Sequence, residues 1–234
     1  ITHLNKISHL ESQTVATGQG NIIGNKGATA ISFIYCNTSF VFINSHLAAR
    51  AERESKRLEN FNRIVSNLAF GVRDLDILHQ FAHVIWFGDL NYRIERLKFK
   101  EVSKIVTTNM ENNASNWSEL TNCDQLIKNM NEFQVGHDNA VFYGFKEGLI
   151  NFAPTYRWDR NENIISNKRE QPPSYTDRVL YRSLEFSYNL WQTQYNSVPT
   201  CYGSDHRPIW SLFKFIPRMP YFYNNNNNSD EQIK

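Results

Sequence analysis

The chain has 234 residues, of which 41% are hydrophobic and 14% aromatic, enough apolar surface for one large domain with a sizeable core. Charged residues make up 21% and the formal net charge is only +2, which argues against a general polyanion binder and leaves local basic patches open. The three cysteines, Cys36, Cys123 and Cys201, are far apart and odd in number, which excludes a disulfide framework or a zinc-ligand spacing and points to a reducing compartment.

The amino terminus, ITHLNKISHL, carries no signal-peptide pattern and no initiator Met, so the chain reads as beginning mid-domain. SHLES reads as a strand, followed by the glycine-rich turn GNIIGNKGATA over 20–30. Ala28 to Tyr35 and Phe40 to Asn44 read as two buried strands with Asn37-Thr38 as their turn. Arg50 to Phe70 reads as an amphipathic helix, with Leu58, Phe61, Ile64, Val65 and Leu68 on one face and Arg53, Lys56 and Arg57 off it. Val84 to Phe87 is a compact apolar strand that ends at Gly88 in a polar turn. Segments 94–106 and 118–131 read as helices, and Val179 to Tyr181 and Ile209 to Phe215 as late strands. No apolar run approaches the ~20 residues that span a bilayer. The Asn-rich stretch 224–234 is too polar to bury surface and is expected to be disordered. Tyr221, Phe222 and Tyr223 before it read first as a packed strand edge or part of the tail, with contact to lipid as the lesser alternative. The alternation of strands and helices implies a layered α/β domain over 1–217, with its site on loops at strand ends and a polar tail over 218–234.

Four polar clusters lie beside apolar strands: Asn44 and His46 in INSHLAAR, Asp89 and Asn91 in WFGDLNYR, Asp177 and Arg178 in SYTDRVLY, and Asp205 and His206 in SDHRP. Taken singly, each has an ordinary structural explanation: a hydrogen-bonded His, a Gly-Asp turn, a local ion pair, a capped turn. Together they match the needs of phosphate-ester hydrolysis. An Asp can take a proton from water, with an Asn beside it to hold the reacting groups. His, Asn and Arg can donate to the phosphoryl oxygens. A divalent metal can neutralise the leaving oxygen. Two further segments, PTYRWD and SNKRE, cluster Tyr156, Arg157, Lys168 and Arg169, and Lys26 sits in the glycine-rich turn; such groups suit a polyphosphate ring, although by themselves the two segments read first as a solvated charged loop, and a glycine turn leading into a strand explains the Lys26 segment equally.

In this order and spacing, GNKGATAISF, FINSHLAAR, WFGDLNYRI, PTYRW, SYTDRVLY and SDHRP resemble the inositol polyphosphate 5-phosphatases, a branch of the endonuclease, exonuclease and phosphatase superfamily. The resemblance runs from about His3 to Phe215. It implies an α/β, more finely α+β, two-sheet β-sandwich flanked by helices, deoxyribonuclease-like, here missing its first strands. It implies Mg²⁺-dependent removal of the 5-phosphate from phosphoinositides, such as the 4,5-bisphosphate or 3,4,5-trisphosphate, or from soluble inositol polyphosphates. Carried over by motif, His46 contacts the phosphate region, Asp89 activates the water and Asn91 helps to hold phosphate and water. Asp177 orients His206, His206 stabilises the transferring phosphoryl group, and Asp205 supports the site, with a possible outer role near a metal. Lys26, Asn44, Arg93, Tyr156, Arg157, Lys168, Arg169 and Arg178 are implied as substrate-binding positions. The resemblance places the main metal ligands, an Asn and a Glu, upstream of Ile1; Glu11 does not match that Glu. It implies a monomeric domain, cytoplasmic and peripheral at cytosolic membrane surfaces, touching lipid head groups and no nucleic acid. An inactive fragment that binds inositol phosphates, or a nuclease of the same superfamily, stands as the alternative.

Overall fold

A computed structural model describes residues 6–18, 25–72, 74–132, 141–187 and 189–217. The Asn-rich tail, Tyr221 to Tyr223 and the first part of the glycine-rich turn lie outside the described residues.

β1 (Ile7–Ala16), β2 (Gly27–Tyr35), β3 (Thr38–His46), β4 (His83–Asp89), β5 (Lys146–Glu147) and β6 (Asp177–Ser183) form one sheet in the order β1-β2-β3-β4-β6-β5. β7 (Leu190–Ser197) and β8 (Ile209–Phe215) form a second, antiparallel pair. Only β3 and β4 run parallel, and parallel neighbours need a long crossover; α1 (Glu54–Asn67) and α2 (Ile77–Gln80) supply it.

Side chains alternate across a strand, so each central strand feeds two cores. Val41, Ile43, Val84, Trp86 and Leu180 face one way, onto Phe61, Ile64 and Leu68 of α1 and its C-cap. Phe40, Ile85 and Val179 face the other way, onto Leu190 and Tyr195 of β7 and Ile209, Phe213 and Phe215 of β8. The result is a two-sheet sandwich with helices on its outer face. The Trp86 ring stacks on Phe61 at 5.1 Å, and its Nε1 donates to Ser45 Oγ at 2.8 Å, so the largest side chain of the core leaves no polar atom unpaired. Replacing Trp86 by Ala would cost about 3–5 kcal/mol.

Several sequence expectations shift. The β2–β3 turn is Cys36-Asn37, both with positive φ, while Thr38 already pairs with Tyr35; two left-handed residues match the right-handed twist of a hairpin. The first helix starts only at Glu54, because Arg50 is left-handed and Arg53 is non-helical. Arg57, expected among the outward-facing polar residues, is fully buried; it donates to the carbonyls of Arg50 and Ala51 and to Gln125 Oε1 and lies 4.8 Å from the Tyr92 ring. The segment expected as a helix over 94–106 begins instead with Ile94 bridged to Asp124, so α3 spans Phe99–Glu111. The segment 118–131 splits into α4 (Ser118–Thr121) and α5 (Gln125–Glu132). Asp124 breaks it by accepting from the amides of Leu126 and Ile127. The polar strand β7 and the two-residue β5 carry too little apolar alternation to be read from sequence.

Candidate active site

Register alone assembles the centre of the site. Across three adjacent strands, His46 on β3 pairs with Asp89 on β4, and Asp89 pairs with Asp177 on β6. By strand alternation all three point to the face that carries the second sheet, at the end of the central strands. Gly88 permits this. Its φ of 124° is closed to other residues, and a Cβ there would run into the Ser45 carbonyl.

Asp89 is held at both oxygens. Its Oδ2 lies 3.0 Å from His46 Nε2, and its Oδ1 accepts from the Asn91 amide at 3.1 Å. Asn91 takes a left-handed φ of 57°, which Asn tolerates, and turns the chain back under the site. Its Nδ2 donates to the Leu47 carbonyl at 3.1 Å, one residue beyond His46.

Asp177 forms the second pair. Its Oδ2 accepts from Thr155 Oγ1 at 2.7 Å and Thr176 Oγ1 at 2.9 Å, and lies 2.9 Å from His206 Nδ1. Burial alone would push the His206 ring towards neutrality. The hydrogen bond and charge of Asp177, with the charges of Asp89 and Asp205, outweigh it and raise the His206 pKa above the ordinary histidine value. A ring protonated beside Asp177 at Nδ1 would present Nε2–H as its second donor. Asp205 faces Arg157 at 3.2 Å and Arg160 at 3.3 Å. Burial would raise its pKa, but hydrogen bonding from Arg160, the His206 charge and Arg157 hold it below the usual carboxylate range.

The other expected residues divide. Lys26, Asn44 and His46 line one open hollow of about 440 Å³ at the strand ends. Tyr156 lies against His206, ring centroids 4.6 Å apart, and Arg157 reaches Asp205. Arg93 is largely buried beneath Tyr156. Lys168 and Arg169 are exposed on a short 3₁₀ turn, and among the described residues no hydrogen bond or ion pair joins them to the two carboxylate–histidine pairs. Arg178 corrects the sequence reading. It is fully buried, with its guanidinium bound to Asp124, Glu147 and the Tyr175 carbonyl, so it has no face for a substrate. Its role is to lock α5, β5 and β6 together. Thr155, Thr176 and Arg160 were missed as site residues. Both threonines stand inside the quoted motifs next to Asp177 or Tyr156, where a buried hydroxyl near an acid was the available signal.

The structure is a two-layer sandwich with two carboxylate–histidine pairs at one end, three of their four members on the central strands. The chain belongs to the endonuclease/exonuclease/phosphatase family 2, whose profile matches residues 1–212. It is 35% identical over 223 residues to phosphatidylinositol 3,4,5-trisphosphate 5-phosphatase 1 of Homo sapiens, covering 91% of this chain and 18% of that protein. It is 33% identical to phosphatidylinositol 3,4,5-trisphosphate 5-phosphatase 2 of Homo sapiens, covering 91% of this chain and 17% of that protein. The chain thus spans less than a fifth of the length of these curated relatives. Among solved structures it resembles the inositol polyphosphate 5-phosphatase domain of SPsynaptojanin, bound to inositol (1,4)-bisphosphate and a calcium ion. That likeness has a TM-score of 0.73 and 35% identity, and covers 92% of this chain and 58% of that one. A Cimex nitrophorin in its ferrous NO complex shares the fold at 22% identity, with a TM-score of 0.64 over 92% of this chain and 68% of that one. The fold by itself therefore does not fix the chemistry.

Among the described residues no three His, Cys, Asp or Glu side chains converge on a point that could hold a metal ion. The nearby carboxylates are engaged: Asp89 with His46, Asp177 with two hydroxyls and His206, Asp205 with two arginines. These residues alone do not make a metal site.

Proposed function

We propose that this domain hydrolyses the 5-phosphate of phosphoinositides or soluble inositol polyphosphates, in a Mg²⁺-dependent reaction. The observation that carries this reading is the His46–Asp89–Asp177 row across three adjacent strands, with His206, from the loop before β8, bonded to Asp177. Two acid–histidine pairs, brought together by the Asp89–Asp177 register, supply a proton acceptor and a donor in one site. Asp89, with both oxygens oriented, accepts the proton of the attacking water. The water oxygen bonds to phosphorus while the bond from phosphorus to the inositol oxygen breaks. That oxygen leaves with the electron pair and is protonated from solvent. Charged His206 donates to a phosphoryl oxygen as negative charge grows there. Lys26 and Asn44 beside His46, and Tyr156 and Arg157 beside His206, are suited to the remaining ring phosphates. Lys168 and Arg169 follow on the loop whose Ser166 amide donates to the Arg157 carbonyl, and as exposed cations they are suited to a ring phosphate as well.

The Mg²⁺ requirement rests on the calcium ion held by the SPsynaptojanin domain, and the preference among head groups on the relatives' names. A monomeric domain acting at cytosolic membrane surfaces through lipid head groups belongs to the same proposal. The test uses the full-length protein with inositol 1,4,5-trisphosphate. Phosphate release with inositol 1,4-bisphosphate as product, abolished by chelator and restored by Mg²⁺, is expected. Turnover that ignores chelation refutes the metal requirement; absence of turnover, or cleavage of duplex DNA instead, refutes the substrate class.

A further inference from the structure

The hydrolase reading leaves Arg93 unexplained, and its surroundings do not fit a ligand contact. The side chain is 7% exposed. Its Nη2 donates to Asn91 Oδ1 at 2.7 Å and its Nε to the Asn91 carbonyl at 3.2 Å. Its guanidinium carbon sits 4.8 Å from the centre of the Tyr156 ring, and that ring is the one leaning on His206. Arginine has only donors, so the Asn91 atom facing it must be the oxygen. That forces the amide nitrogen towards the Leu47 carbonyl, beside His46, and the same turn delivers the Asn91 backbone amide to Asp89.

Resting on the proposed hydrolysis, we infer that Arg93 is a positioning residue that holds the two carboxylate–histidine pairs in one frame. Towards one side it fixes Asn91, and through Asn91 both His46 and Asp89. Towards the other it carries Tyr156, and through that ring His206. A planar fork that grips a carbonyl and an amide oxygen while its guanidinium carbon sits over an aromatic ring is a task for Arg; Lys offers a point charge on a mobile stem. Because the proposed reaction needs Asp89 and His206 at fixed separation, a small displacement between the pairs costs turnover rather than binding.

The test is a mutant cycle in the full-length protein, with inositol 1,4,5-trisphosphate as substrate. Arg93→Lys and Arg93→Met should each lower kcat, the Met variant by about 100-fold, with KM changed less than about threefold. In an Asn91→Ala background, Arg93→Met should cost much less than it does alone, because its action runs largely through that amide. A raised KM at unchanged kcat would show Arg93 touching substrate and overturn the inference. So would losses that simply multiply in the double variant, or an Arg93→Lys variant as fast as the parent. If Arg93→Met does not fold, Arg93→Lys alone decides, since it keeps the charge and most of the stem. Parent protein that releases no phosphate removes the hydrolase reading itself, an outcome distinct from any of these.

Discussion

Replacing Asp177 by Asn tests the second acid–histidine pair directly. The Asn oxygen keeps the size of the group and can still accept from Thr155 and Thr176, so the hydroxyl contacts at 2.7 and 2.9 Å survive. What is lost is the charge 2.9 Å from His206 Nδ1. A hydrogen bond to a charged partner contributes about 1.5–3 kcal/mol. If that support is felt fully when His206 donates to the phosphoryl group, the loss in kcat is roughly 10- to 150-fold. The pH dependence has a definite sign. Asp177 raises the His206 pKa in the folded protein. Its contribution to stability is therefore complete below the ordinary histidine pKa and is lost as pH rises through the raised folded value. In Asp177→Asn that component is removed, the ring deprotonates at lower pH, and the alkaline limb of the kcat profile moves down the pH scale. The assay is phosphate release by the full-length protein across pH 5–10, with melting curves over the same range. A profile that superimposes on the parent's, with kcat unchanged, would refute a charged His206 as donor.

Arg178→Met should behave as a core lesion. Removing the cation leaves Asp124 and Glu147 buried without it, an expected loss of about 3–5 kcal/mol in denaturant unfolding. A rise in KM at unchanged stability would restore the substrate role that burial denies it. Gly88→Ala should destabilise by more than about 1 kcal/mol, because φ of 124° strains any side chain and the new Cβ meets the Ser45 carbonyl. Its melting temperature, compared with that of an alanine variant at exposed Gly203, where a Cβ meets nothing within 4 Å, checks this.

The six expected catalytic residues were legible as residue types because their signal is local: each stands beside an apolar strand, in a short polar motif. Strand positions were legible for the same reason, since Val84 to Phe87 and Ile209 to Phe215 are dense in β-branched and aromatic residues. Partnership was not legible. Asp177 and Arg178 are neighbours in the chain, yet strand alternation sends one to the site and the other into a fully buried ion network. Arg57 reads as outward-facing and Arg93 as a substrate contact, yet each is buried, Arg57 among the carbonyls of its own loop and Gln125 of a distant helix, Arg93 against Asn91 and Tyr156.

The sequence by itself determined the residue types, the strands that present them and the family they belong to, because these depend on composition and short-range order. Only the tertiary structure decided which charges face a ligand and which face each other. That choice depends on sheet register, where the His46–Asp89–Asp177 row is set by hydrogen bonds between strands far apart in the chain.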